Sequence, residues 1–108
     1  MGPGSPARVA GILIRDPVRA AAFACCSTKA AAGAAALATT SAGFAFTLGR
    51  PDGGTVSRDE ALAHAEAIVA ATPLPVSGDF ENGYAEAPDG VAETIRRAAS
   101  VGLSGCSI

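Results

Sequence analysis

Short apolar runs alternate with helix-start signals along the whole chain, and this alternation constrains the fold more than any other feature. Val9 to Ile14 is an apolar run containing β-branched residues, a candidate strand. Asp16-Pro17 follows, a capping acceptor ahead of a proline suited to the first helical position. It predicts a helix from Pro17 to about Ala32, closed by Gly33. Ala34 to Thr40 is a second apolar run. Ser41 to Val56 carries Gly43, Gly49, Pro51, Gly53 and Gly54 and reads as a loop. Ser57 opens the clearest helix, because Ser57 and Glu60 form an S-x-x-E capping box, with Asp59 also favourable at the positive helix end. Leu62, Ala65, Ile68 and Val69 share a face until Thr72-Pro73 stops the helix. Leu74 to Ser77 is a third strand. Pro88 to Ser100 is a further helix with Val91, Ile95 and Ala98 on one face and Gly102 as its stop, and Leu103 to Ile108 begins a last strand.

The order is β-α-β-α-β-α-β, in units long enough for βαβ crossovers. It predicts an α/β fold with a parallel sheet of about four strands and helices outside it. Strands buried on both faces explain runs that are apolar without alternation. An open doubly wound sheet and part of a (β/α)8 TIM barrel both satisfy this order. No G-x-G-x-x-G follows the first run and no Walker A loop occurs, so nucleotide folds lose ground. Residues 1–8 read as a loose tail, and 9–108 as one incomplete unit.

Composition sharpens the question of completeness. Of 108 residues, 49% are hydrophobic, but 26 of them are Ala, against 4 Phe, 1 Tyr and no Trp. Alanine buries little area, so a free-standing core of this kind lacks the side chains that stabilise most. The chain is therefore expected to be part of a larger unit. Net charge is −2, and among the eight Lys and Arg only Arg96 and Arg97 are adjacent. With no basic stripe and few aromatics, nucleic acid is not an expected partner. Cys25, Cys26 and Cys106 give neither a disulfide framework nor metal-ligand spacing, which suits a reducing cytoplasm. Residues 30–48 carry no charge, yet they are mostly Ala, Gly, Ser and Thr. They read as strand and polar loop rather than a membrane span. Ile12-Leu13-Ile14 runs straight into Arg15-Asp16, which does not suit a signal peptide.

In folds of this type ligands gather at the C-terminal ends of the strands. The second run ends in Thr39-Thr40-Ser41-Ala42-Gly43, whose hydroxyls and backbone N–H groups suit a carboxylate or phosphoryl oxygen, or simply cap a turn. The third ends in Asp79-Phe80-Glu81-Asn82-Gly83-Tyr84. Asp79 and Glu81 are two apart, so in extended chain they point to one side. Such a pair suits a hard divalent cation, directly or through water, or a solvated acidic loop. Asp52 is a third carboxylate that loop geometry could bring near. Together these residues suggest an Mg²⁺ site facing an anion-binding loop. His64, the only histidine, lies inside the capped helix away from every predicted strand end, and reads as a packing or surface residue. No Cys–His pair and no Ser/His/Asp set can be assembled, so no catalytic nucleophile is assigned.

Three stretches in order, Ala38-Thr39-Thr40-Ser41-Ala42-Gly43-Phe44, Leu48-Gly49-Arg50-Pro51-Asp52-Gly53 and Ser57-Arg58-Asp59-Glu60-Ala61, resemble the isocitrate lyase/phosphoenolpyruvate mutase superfamily, in particular its phosphonomutase-like branch. Pro75-Val76 through Tyr84 resembles that branch's metal-site motif, and Gly102 to Ile108 its fourth strand. The resemblance covers about residues 30–108. It implies roughly the N-terminal half of a TIM barrel, and for full-length members a homo-oligomer. It also implies an Mg²⁺-dependent enzyme that makes or breaks C–C or P–C bonds of a small 2-oxo acid or phosphonate through an enolpyruvate-like species. By position, Asp79 would be the principal metal carboxylate, Glu81 a second one through water, and Asp52 an additional acidic residue. Thr40, Ser41, Ala42 and Gly43 would hold the substrate. Two departures matter. The family's next acidic pair would fall just past Ile108, and Arg15 to Lys29 lacks the Trp-Asp-x-x-Ser-like segment that follows the family's first strand. The chain alone is thus expected to be inactive, with a self-associating truncated half-barrel as the alternative.

Overall fold

The computed structural model describes residues 7–9, 12–14, 29 and 31–108. Its main sheet has three parallel strands, β3 (Leu37–Ala38), β4 (Val76–Asp79) and β5 (Gly105–Ser107), in the order β3-β4-β5. Between them run α1 (Ser41–Thr47), α2 (Arg58–Ala70) and α3 (Pro88–Ser100). Register sets Leu37 beside Val76 and Ala38 beside Ser77, then Ser77, Gly78 and Asp79 beside Gly105, Cys106 and Ser107. Each strand lies next to its neighbour in sequence, as successive βα units of a barrel do.

The parallel sheet has three strands among the described residues, not four. The run from Val9 to Ile14 does not join it. That run divides into β1 (Ala7–Val9) and β2 (Ile12–Ile14), which pair antiparallel with Val9 opposite Ile12. Only Ala10 and Gly11 separate them, the length that favours a hairpin over a single strand. Ala7 and Arg8, read as tail, belong to β1. The helix expected from Pro17 to Ala32 lies almost wholly outside the described residues.

Other elements follow their local signals. The Ser57 side chain accepts from Glu60 N–H while Glu60 accepts from Ser57 N–H, both at 3.1 Å, and α2 starts at Arg58, one residue after the Ser57 cap. α3 spans the expected residues, with Pro88 at its first position. β4 begins two residues later than expected. Pro75 has no N–H to give a ladder, but its carbonyl accepts from Leu37 at 2.9 Å. Asp79 is therefore the last residue of the strand rather than the first of a loop.

The core is largely alanine. Ala45, Ala61, Ala65 and Ala98 join Val56, Leu62 and Phe80 in one buried cluster, with Leu37 and Val76 forming a second beneath Ile68, Val69 and Leu74. Small residues let the helices lie close to the sheet. On α3 the expected apolar face is rotated. Thr94 is fully buried, whereas Ile95 is 39% exposed.

Candidate functional site

Asp79 joins the two loops that the sequence singles out. Ser41 N–H donates to Asp79 Oδ2 at 3.1 Å, and Asp79 N–H donates to Thr39 Oγ1 at 3.0 Å. The end of β4 and the end of β3 are thus tied twice, across 38 and 40 residues of sequence. Glu81 N–H also donates to Asp79 Oδ1 at 3.3 Å. Donation from Ser41, above all, holds the Asp79 carboxyl below its ordinary pKa. Each of its oxygens keeps a lone pair for a further partner.

The stretch after β3 is helical from Ser41, where a loop was expected. Thr40 caps α1, its side chain accepting from Gly43 N–H at 2.9 Å, and Phe44 N–H closes the first turn onto the Thr40 carbonyl at 3.1 Å. Gly43 leaves room for this cap, since a Cβ there would lie 2.5 Å from Thr40 Oγ1 and displace that side chain. Two of the expected substrate-holding amides, Ser41 and Gly43, are thereby committed internally. The Thr40 and Ala42 N–H groups and the Thr40 and Ser41 hydroxyls are donors this stretch can still offer.

After Asp79 the chain turns sharply. Glu81 has φ 52°, Gly83 79° and Tyr84 57°, and non-glycine residues in this region carry strain. Strand alternation does not extend to Glu81, so the expected same-side pair with Asp79 does not arise in that way. Instead Glu81 Oε1 accepts from Gly54 N–H at 2.9 Å. The loop bearing Asp52 is drawn in by this bond. It is braced from behind by Arg50, which donates to Glu60 at 2.9 Å and to Thr55 O at 3.1 Å. Asn82 Oδ1 accepts from Tyr84 N–H at 3.1 Å, and the Thr94 hydroxyl donates to Gly83 O at 2.6 Å.

Tyr84 is a neighbour of these carboxylates that the sequence motifs left without a role. Burial first, then the negative charges of Glu81, Asp79 and Asp52, push its phenol well above the ordinary range. It stays a protonated donor among three carboxylates. Tyr84 and Asp79 line a small cleft with Thr39, Thr40, Ser41 and His64. The histidine thus lies beside the strand ends, not away from them. Its distance from them in sequence hid a contact made by packing α2 against α1.

The donor set suits a hard cation. Mg²⁺ is commonly held by one or two carboxylates with water completing its shell, and Asp79 with Glu81 offers that chemistry. No three His, Cys, Asp or Glu side chains among the described residues converge as a metal-holding group, so Asp52 does not complete a three-carboxylate cage. Among the same residues no helix is long and apolar enough to cross a membrane.

Parallel α/β sheets of several fold families gather their polar groups at the strand ends in this way. The phosphoenolpyruvate phosphomutase family model matches residues 18–108, and the chain belongs to that family. The match reaches back into the segment where no family motif could be read. An uncharacterised protein of Mycobacterium tuberculosis is 36% identical over 76 residues, covering 68% of this chain and 28% of the relative. A candidate phosphonomutase from Burkholderia cenocepacia has TM-score 0.74 and 43% identity, over 78% of this chain and 34% of that one. The structure of 2,3-dimethylmalate lyase, a PEP mutase/isocitrate lyase superfamily member, has TM-score 0.68 and 31% identity, over 82% and 30%. The chain therefore spans about three-tenths of the length of these relatives, less than the half that its motifs imply.

Proposed function

We propose that this chain is part of an Mg²⁺-dependent lyase or phosphonomutase-like enzyme that makes or breaks a C–C or P–C bond of a 2-oxo acid. The observation that carries this reading is Asp79. It is one carboxylate at a strand end, kept ionised by Ser41 N–H and bonded through its own N–H to Thr39. In this reading Asp79 holds the cation, Glu81 reaches it through water, and Asp52 adds negative charge at the rim. When bound, the cation supplies positive charge against the oxygens of the oxo acid. The Thr40 and Ser41 hydroxyls and the Ala42 N–H orient the substrate carboxylate, with Gly43 allowing the turn that presents them. Tyr84, held protonated, lines the cleft beside Asp79, while Gly54 N–H holds the Glu81 carboxylate. Free Cys106 suits a reducing cytoplasm.

Titration with Mn²⁺ as a paramagnetic probe tests the metal site in this chain. Amide signals of Ser41 and of residues 79–81 should broaden first, and Asp79→Asn should abolish that selectivity. Broadening that is unchanged in the variant would remove Asp79 from the site.

A second reading rests on the sheet edges. Neither outer edge of β3 or β5 is paired among the described residues, and Ile95 and Ile108 are 39% and 61% exposed. Unpaired edges beside apolar surface favour self-association. In this reading the chain is a catalytically inactive unit that associates with its own copies. Light scattering separates the two, since a cooperatively melting monomer excludes the second.

A further inference from the structure

We propose that His64 is a positioning residue for the Thr40–Gly43 loop, acting through the ring of Phe44. This rests on the reading above only in taking that loop as the ligand-holding one. α1 has seven residues, too few to persist as a helix without tertiary support. Its own Ala45 is buried in the core cluster with Ala61, Leu62 and Ala65. The ring of Phe44 lies flat against the imidazole of His64, with centroids 4.0 Å apart and planes inclined by 9°. Phe44 N–H is also the donor that closes the first turn onto Thr40 O. The stacked ring and the capping residue thus belong to the same turn, and Ser41, in that turn, reaches Asp79. A shift of the Phe44 ring is passed directly to Thr40 and Ser41.

The direction of this support follows from the two helices. His64 sits mid-way along a 13-residue helix with a complete capping box. Ala61 and Ala65, on either side of it, are buried. The longer helix is the fixed body and the short one is held against it. A flat ring at position 64 gives Phe44 a plate to lie on, which an aliphatic side chain does not.

Amide hydrogen exchange on the full chain tests the proposal, with His64→Ala and His64→Phe beside the unaltered protein. His64→Ala should raise exchange of the Gly43, Phe44 and Ala45 amides about tenfold while α3 amides change little, as local opening of one unit does. His64→Phe should restore protection, because it keeps the ring. The proposal is overturned if His64→Ala leaves α1 unchanged, if it loosens α3 equally, or if His64→Phe loosens α1 as much as alanine does. Mg²⁺ with oxalate, a planar dicarboxylate probe, gives the functional arm. A weaker response of the Ser41–Gly43 amides in His64→Ala, recovered in His64→Phe, supports positioning, and an equal response in all three proteins overturns it. If even the unaltered chain does not respond to oxalate, the functional reading fails, and the exchange comparison still decides the role of His64.

Discussion

The two strand-end loops meet at Asp79 but are built in opposite ways. The stretch after β3 uses no left-handed backbone. It is held by a side-chain cap, a short helix and a ring stack. The stretch after β4 places Glu81, Gly83 and Tyr84 in left-handed conformations within four residues. It holds them from outside, through Gly54 N–H and the buried Thr94 hydroxyl. One loop keeps ordinary helical backbone that its neighbours only support, and the other is held by its neighbours in strained backbone. Strain of this kind collects where groups must be held in a geometry they do not choose.

Asp79→Ala should have the largest effect, because it breaks both loops at their junction. Ser41 N–H and Glu81 N–H lose a charged acceptor together, which corresponds to about 2–3 kcal/mol. Urea denaturation measures the loss, and Asp79→Asn, which keeps one acceptor oxygen, should lose less. Alanine at the two loop glycines then sets the loops against each other. At Gly83 the backbone is left-handed and a Cβ would meet Val91 Cγ1 at 2.9 Å, so destabilisation of about 2 kcal/mol is expected. At Gly43 φ is ordinary. Loss of the Thr40 cap, about 1 kcal/mol, is offset by the similar gain in helix propensity of Ala over Gly. Thermal melting should show a clear drop for the first variant and almost none for the second. Equal drops would mean that the two loops do not differ as described.

Thr94→Val removes the hydroxyl that holds Gly83 O and also reaches Gly90 O at 3.2 Å. A loss of about 1 kcal/mol is expected, with the change in amide exchange confined to residues 80–84. The smallest effect is that of pH. Burial lowers the His64 pKa from 6.5, so the unfolded chain binds a proton first. Stability should fall as pH drops below 6.5 and level off below the folded value. Asp79, also lowered, from 3.8, contributes stability above that value and loses it as pH falls through its folded pKa. Acid should therefore loosen the β3 side first and the junction later, which residue-resolved NMR titration would show as two separate windows.

Local chemistry made α2 and α3 legible. The Ser57–Glu60 box and Pro88 fix helix starts within a few residues of themselves, and both appear where expected. α1 was not legible, because Thr40, Ser41 and Gly43 are as good in a turn as at a helix start, and the deciding contacts come from α2 and β4. The hairpin at Val9 to Ile14 was missed because a continuous apolar run gives no sign of where it reverses beyond one glycine. That Asp79 and the Thr39–Gly43 stretch fall at strand ends was legible from the apolar runs that precede them. The turn at Glu81 was not, since glutamate carries no preference for left-handed backbone. His64 was misplaced for the same kind of reason: its neighbours are set by helix packing, which no spacing along one helix reveals.

The left-handed residues after β4 have a consequence for anyone altering this chain. Asparagine and glycine tolerate that backbone far better than glutamate or tyrosine, so Glu81 and Tyr84 are the first places where a stabilising substitution would be sought. They are also the residues whose charge and hydroxyl surround Asp79. If the proposed site is used, a selection for heat resistance and a selection for cation binding would pull the same two positions in opposite directions, and the residues that survive there would record which pressure had prevailed.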